Sequence, residues 1–174
     1  DAAGVVIKSE DSATGDGNRI IRFPGLQGRA GVRAAVEQLV PWYLSDIMLG
    51  SVVEELVVGE GFASPSVQVD IAPRGRVRVL STHEQHLEGP NGQVYSGCRF
   101  PADPWYAGEL AAYGQAVGRV LAEKGALGRF AVDFAAVQDA SGRWELYGLE
   151  INLRKTGTSH PLTVAATVTF GVVE

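Results

Sequence analysis

Cysteine is almost missing from this 174-residue chain: Cys98 stands alone. A single cysteine rules out an internal disulfide, fits a reducing compartment, and reads as a small apolar core residue. Long hydrophobic runs are missing too. No stretch approaches the roughly 20 apolar residues that span a bilayer, and no leader pattern opens the chain. Positive charge is not in excess, since 15 Lys and Arg against 20 Asp and Glu leave a net charge of −5. That balance argues against a nucleic-acid-binding surface. Repeats and low-complexity tracts do not occur.

Three common motifs are also absent. The stretch VVIKSEDSATGDGN around Lys8 lacks the GxxxxGK[ST] order of a Walker loop and the helix that follows one. Gly15-Asp16-Gly17 lacks the third glycine of a dinucleotide fingerprint and leads into a strand. His83-Glu84-Gln85-His86 carries its histidines three apart and follows a strand, so it is not HExxH, and it reads as a strand end and turn.

What remains is ordinary globular material, 45% hydrophobic and 20% charged. Its length suits one domain or a compact pair of lobes in the cytoplasm, with no membrane and no nucleic acid as partner. Residue 1 is Asp, and Gly4-Val5-Val6-Ile7 already reads as strand interior, so the expectation is a segment of a longer protein.

Strands are expected at 5–8 and 19–23, the latter RIIRF, joined by a polar, turn-forming decapeptide. Helical spacing runs through 29–44, with Pro41 set to end or kink it. Residues 52–58 read as a strand. In 66–71, Val67, Val69 and Ile71 share one face, and Gln68 and Asp70 the other. Pro73-Arg74-Gly75 turns that strand into another at 77–80, and Gly89-Pro90-Asn91-Gly92 is a further turn. The longest expected helix is 105–124, stopped by Gly125. Strands at 130–137 and 144–153 are joined by a polar turn at 139–142, and 161–170 is a candidate terminal helix. Antiparallel hairpins interrupted by helices define an α+β chain.

Two constellations carry chemistry. Lys8 ends a strand before a loop containing Gly and Ser, an arrangement that can hold phosphates through a point charge and backbone N–H groups. The alternative is a solvated hairpin with Lys8 reaching into water. The second is GLEINLRKTGTSHP, in which the two-residue strand period puts Glu150, Asn152 and Arg154 on one face. The turn at 139–142 brings this strand back beside Asp133, which sits inside the apolar run FAVDF. Carboxylates and an amide oxygen are hard ligands suited to Mg²⁺ that also touches phosphates. Arg154 would reach the same phosphate or a developing negative charge. The alternative is a solvent-exposed face with a weak Glu150–Arg154 pair. Glu84, Arg99, Lys155 and His160 are further candidates for substrate or phosphate contact.

In this order, Lys8 with its loop, Val53-Glu54-Glu55-Leu56-Val57, Asp133 and Glu150-Ile151-Asn152-Leu153-Arg154 resemble the ATP-grasp superfamily over nearly the whole chain. The resemblance implies a two-lobed fold with a mostly antiparallel sheet and packed helices. Residues 1–50 would form the small lobe and 51–174 most of the large one, with ATP between them. It implies that Lys8, Gly15, Gly17 and Asn18 serve the ATP phosphates. Glu54, Glu55 and Val57 would hold adenine, and Glu60, one position short of the usual spacing, the ribose. Asp133, Glu150 and Asn152 would be the Mg²⁺ ligands, with Mn²⁺ as a substitute, and Arg154 the catalytic arginine. The wording of STHEQHLEGPNGQVYSGCRFP and LEINLRKTGTSHP is most like the peptide ligases of pheganomycin type, which join a small-molecule acid to an amino acid or peptide amine through an acyl phosphate. An N-terminal domain and an upstream phosphate-binding lysine would precede this segment, and a homodimer stays open. Biotin-dependent carboxylation and a non-catalytic nucleotide-binding module are the alternatives.

Overall fold

The computed structural model describes residues 2–10, 17–89 and 92–169. They group into two compact units, one made of Asp1–Val58 with Leu87–Tyr95 and the other of Gly59–His86 with Ser96–Glu174.

The smaller unit is a three-stranded antiparallel sheet backed by two helices. Strand β1 (Gly4–Ser9) lies between β2 (Asn18–Arg22) and β3 (Ser51–Glu55). Alternation assigns the two faces. Ile7 and Ile21 point to the helices and form a buried cluster with Tyr43, flanked by Val5, Leu26, Ala35, Val36, Leu39 and Ile47. The opposite face carries Lys8 and Asn18, which are cross-strand partners, and Glu54, the partner of Val6. Because β3 pairs with β1, this unit runs to Val58 rather than ending near residue 50. The helical pattern expected over 29–44 is two helices, α1 (Gly28–Glu37) and α2 (Pro41–Leu49). Pro41 opens α2 in its first turn, where its missing N–H costs nothing and its fixed φ suits a helix start. A proline that breaks one helix has begun the next.

The larger unit is built on a six-stranded sheet. Strands β4 (Gly61–Ala63) and β5 (Pro65–Ala72) lie along one side of β8 (Gly128–Gln138), and β9 (Trp144–Asn152) lies along the other. Strands β6 (Arg76–Glu88) and β7 (Val94–Arg99) extend the sheet beyond β5. Strand β6 is thirteen residues long, so His83 to His86 are strand interior and not the expected strand end and turn. Pairing supplies the reason. Glu84 partners Pro65 on one side, and His86 accepts the Ser96 hydroxyl on the other, so neighbouring strands override a polar local composition. Successive residues of a strand face opposite ways, which separates His83 from His86 and removes any shared metal site. No helix among the described residues is long and apolar enough to cross a membrane.

Helix α3 (Pro104–Glu123) covers one face of this sheet. Asp103 caps it by accepting the Trp105 N–H at 3.0 Å, and Gly125 ends it at φ 85°. Tyr106 and Leu110 meet Val67, Val69 and Ile71 of β5 and Phe130, Val132, Phe134 and Ala136 of β8 in the main core. Full burial of each large side chain contributes about 1.5–3 kcal/mol. Gly114 and Gly118 bring the helix axis close to β5. A Cβ at Gly118 would stand 2.4 Å from Val77 Cγ1, and one at Gly114 would stand 2.8 Å from Val67 Cγ2. The opposite face of the sheet holds the polar residues, and α4 (Ser159–Val168) starts against it. There the Gln68 amide donates to Thr158 Oγ1 at 2.8 Å and accepts from Ser159 Oγ at 3.3 Å.

Overpacking a closed helix–sheet contact costs about 1–3 kcal/mol, and removing an exposed helical glycine gains about 0.5–1 kcal/mol. Gly118→Val should therefore destabilise the protein by about 1–3 kcal/mol. Gly108→Ala, at an open position of the same helix, should stabilise it by about 0.5 kcal/mol. Urea midpoints of both variants check this.

Candidate functional site

The larger unit carries the carboxylate cluster. Strands β8 and β9 are joined by a tight turn in which Asp139 Oδ1 accepts the Ser141 N–H at 2.8 Å and the Arg143 N–H at 2.9 Å. Hydrogen bonding, first from the Ser141 hydroxyl, holds the Asp139 carboxyl below its usual range. From that turn the ladder pairs Gln138 with Trp144 and continues in step to Phe134 with Gly148. Between Asp133 and Phe134 the register shifts by one residue, and beyond the shift Asp133 pairs with Glu150 and Ala131 with Asn152. Without this bulge Asp133 would face Leu149, and Glu150 would point to the α3 side with Val132. The extra residue therefore brings both carboxylates and the amide to one face.

On that face Asn152 Nδ2 donates to Asp133 Oδ2 at 2.9 Å. Asn152 is buried, Asp133 half-buried and Glu150 exposed. Burial raises the pKa of Asp133, a hydrogen bond with Ser66 opposes that rise, and the Glu150 carboxylate adds to it. Asn152 and the Arg154 guanidinium also pull downward, and the net shift is upward. Directly opposed like charges are destabilising, so this pair carries a cost that a cation would remove. Two carboxylates and an amide oxygen form a hard donor set that fits Mg²⁺ sharing its remaining positions with phosphate and water. Among the described residues, no cluster of three or more His, Cys, Asp and Glu is set for a metal.

Arg154 departs from the simple alternation. Strand β9 ends at Asn152, and the Arg154 N–H folds back onto the Asn152 carbonyl at 2.8 Å, so the strand period does not extend to it. Its guanidinium is exposed, donates to the Lys155 carbonyl at 3.4 Å and still acts on the Asp133 charge. The chain after it is pinned to the sheet by the Gln68 contacts, and the Thr156–Thr158 hydroxyl pair at 2.7 Å ties that segment to itself. Gln68 and Asp70 were recognisable as a polar strand face, but nothing in their spacing pointed to Thr158 and Ser159.

The smaller unit brings a second set together. Lys8 Nζ lies 2.6 Å from Glu54 Oε2, both residues being half-buried. Asn18 faces Lys8 across the ladder and donates to Gln93 Oε1 at 3.3 Å. The Gly17 carbonyl accepts the Ser9 N–H at 3.1 Å. Gly15 lies outside the described residues. Glu55 is exposed and Val57 half-buried beyond it, where β3 gives way to irregular chain. Glu60 is exposed in the larger unit, its N–H bonded to the Gln138 carbonyl at 3.2 Å. His83 is fully buried, neutral because burial lowers its pKa to about 4, and packs on Phe100 with ring centroids 5.2 Å apart. Arg99 and His160 are exposed.

No known family model matches the chain. The L-propargylglycine–L-glutamate ligase of Streptantibioticus cattleyicolor is 42% identical over 116 residues, which cover 67% of this chain and 22% of that protein. This chain thus spans under a quarter of that relative's length. Among solved structures, the N5-carboxyaminoimidazole synthetase of Staphylococcus aureus complexed with ADP matches with a TM-score of 0.64 at 16% identity, covering 98% of this chain and 42% of that one. The biotin carboxylase domain of Hydrogenobacter thermophilus 2-oxoglutarate carboxylase, in complex with MgADP, ADP and bicarbonate, also gives 0.64, at 20% identity over 91% of this chain and 32% of that one. These likenesses define an ATP-grasp fold of α+β class. The chain belongs to the ATP-grasp superfamily.

The raised Asp133 pKa has a sign that can be tested. A carboxyl with a raised folded-state pKa favours folding fully below its unfolded value, and that contribution is lost as pH rises through the folded value. At neutral pH, in the absence of a cation, ionised Asp133 therefore opposes folding. Asp133→Asn should raise the Tm of the ligand-free protein at pH 7, and the gain should shrink as pH falls through the acid range. Thermal melts across pH check it; a variant with a lower Tm at every pH would contradict it.

Proposed function

We propose that this chain is the nucleotide-binding part of an ATP-dependent carboxylate–amine ligase that forms a peptide or amide bond. The shared face of Asp133, Glu150 and Asn152 is the observation that carries the reading, since two carboxylates and an amide on one face suit a divalent cation that also touches phosphate. The 42% identity to a protein named as a ligase supports the reaction class. Neighbours solved with ADP and with MgADP support ATP and Mg²⁺ as the nucleotide and metal.

In this reading Asp133, Glu150 and Asn152 hold Mg²⁺, and Mn²⁺ can replace it. Held there, the metal would supply charge neutralisation to the phosphates. Lys8, with Gly15, Gly17 and Asn18, serves the phosphates; for this its ammonium exchanges the Glu54 carboxylate for a phosphate oxygen. Glu54 and the backbone through Glu55 to Val57 serve adenine, and Glu60 is the candidate for ribose. A substrate carboxylate oxygen attacks the γ-phosphorus, the bond to the bridging oxygen breaks, and ADP leaves with an acyl phosphate formed. An amine nitrogen then attacks the acyl carbon, phosphate departs and the nitrogen gives up a proton. Arg154 stabilises the negative charge that builds during transfer. The chain's own work is positioning and charge neutralisation. A cytoplasmic setting suits both the ATP supply and the free thiol of Cys98.

The test is ADP release by the whole protein against paired carboxylic acids and amino acids, with products read by mass. ADP should appear only when acid and amine are both present. Glu150→Gln and Asn152→Ala should each lower that rate by about 100-fold or more while the fold stays intact. Full activity in both variants would contradict the metal assignment. Turnover that needs bicarbonate and biotin in place of an amine would favour carboxylation instead, and ATP binding without turnover would favour a non-catalytic module.

A further inference from the structure

Tyr43 is fully buried, yet its hydroxyl lies where the smaller unit's hairpin opens. The oxygen stands 2.9 Å from the Ile7 carbonyl and 2.9 Å from the Gly17 carbonyl. Those carbonyls belong to the two limbs of one hairpin, and Tyr43 reaches them from α2, 36 and 26 residues away in sequence. A hydroxyl has one hydrogen, so the two acceptors share a single donor. Gly17 O also receives the Ser9 N–H at 3.1 Å, so the outgoing limb is fixed twice. Arg19 adds a third hold. Its guanidinium lies over the Tyr43 ring at 4.7 Å and near the Trp42 ring at 5.6 Å, and its Nη1 donates to the Asn18 carbonyl at 2.8 Å. The carbonyls of Ile7, Gly17 and Asn18 are all held by side chains. Ile7 immediately precedes Lys8, and Asn18 is the cross-strand partner of Lys8.

A tyrosine kept only for packing would not need its oxygen here; a phenylalanine would fill the same volume among Ile7, Ile21 and Ile47. We propose that the Tyr43 hydroxyl is a positioning group for nucleotide phosphates: by tying Ile7 and Gly17 together it sets the direction of Lys8 and the spacing of the limbs on which Lys8 and Asn18 stand. This rests on the reading that Lys8 and Asn18 face phosphate. Tyr43 acts through them and touches no substrate.

The experiment compares Tyr43→Phe with Lys8→Ala in the whole protein, titrating adenosine and ADP with Mg²⁺ and recording urea midpoints alongside. Tyr43→Phe should weaken ADP binding by about 3- to 10-fold, the range expected for one lost hydrogen bond to a backbone carbonyl, and adenosine binding by less than about 2-fold. Arg19→Met should show the same selectivity for ADP, which supplies a second variant should Tyr43→Phe unfold. Equal losses for adenosine and ADP would mean a purely structural role and overturn the proposal. An unchanged ADP affinity in Tyr43→Phe beside a clear loss in Lys8→Ala would also overturn it while leaving the nucleotide reading standing. An unchanged ADP affinity in Lys8→Ala would bring down the nucleotide reading and this proposal with it.

Discussion

A single extra residue in one strand decides which side chains share a face with Asp133. The β8–β9 ladder leaves its turn in a register that would set Asp133 against Leu149, and the bulge between Asp133 and Phe134 advances β9 by one position. Because side chains alternate with a period of two, that step moves Glu150 and Asn152 from the α3 side to the side of Asp133. The Asp133–Asn152 hydrogen bond follows from it, as does the repulsion between the two carboxylates. Strand ends and bulges beside working sites commonly re-aim a side chain in this way.

The surroundings of the cluster hold it in place without satisfying its charge. Asn152 hydrogen-bonds to Asp133, the Ser66 hydroxyl and Arg154 also favour its charged form, yet burial and Glu150 outweigh them. A structural ion pair would have been arranged the other way, with a cation in contact and the pKa lowered. The Gln68 contacts to Thr158 and Ser159 hold the peptide that follows Arg154 against the same sheet. On the smaller unit the Lys8–Glu54 pair is closed and short, so its ammonium is already directed along the strand face that bears Asn18.

Much of this was visible in the residues. The alternation of Val67, Val69 and Ile71, the apolar spacing of α3, and the turn before β9 follow from period, caps and turn chemistry, and each element stands within a residue or two of its expected place. The candidate residues Lys8, Glu54, Asp133, Glu150 and Asn152 were legible as an ordered set, and the structure brings Lys8 to Glu54 and Asp133 to Glu150 and Asn152. What escaped was set by pairing. Strand β7, short β4 and the full length of β6 are polar or glycine-bearing and become strands because their neighbours offer hydrogen bonds. The bulge was hidden for the same reason: residues 148–150 carry no local mark that one of them is extra. Tyr43 was hidden by distance, since nothing near position 43 announces carbonyls at 7 and 17.

The central claim is spatial, that Asp133, Glu150 and Asn152 together hold a divalent cation against a nucleotide. Anomalous diffraction from crystals of the whole protein grown with Mn²⁺ and ADP tests it directly. The account predicts a manganese peak about 2.1 Å from carboxylate oxygens of Asp133 and Glu150 and from Asn152 Oδ1, with phosphate oxygens completing the shell. A manganese ion bound to the nucleotide but touching none of these three side chains would contradict it.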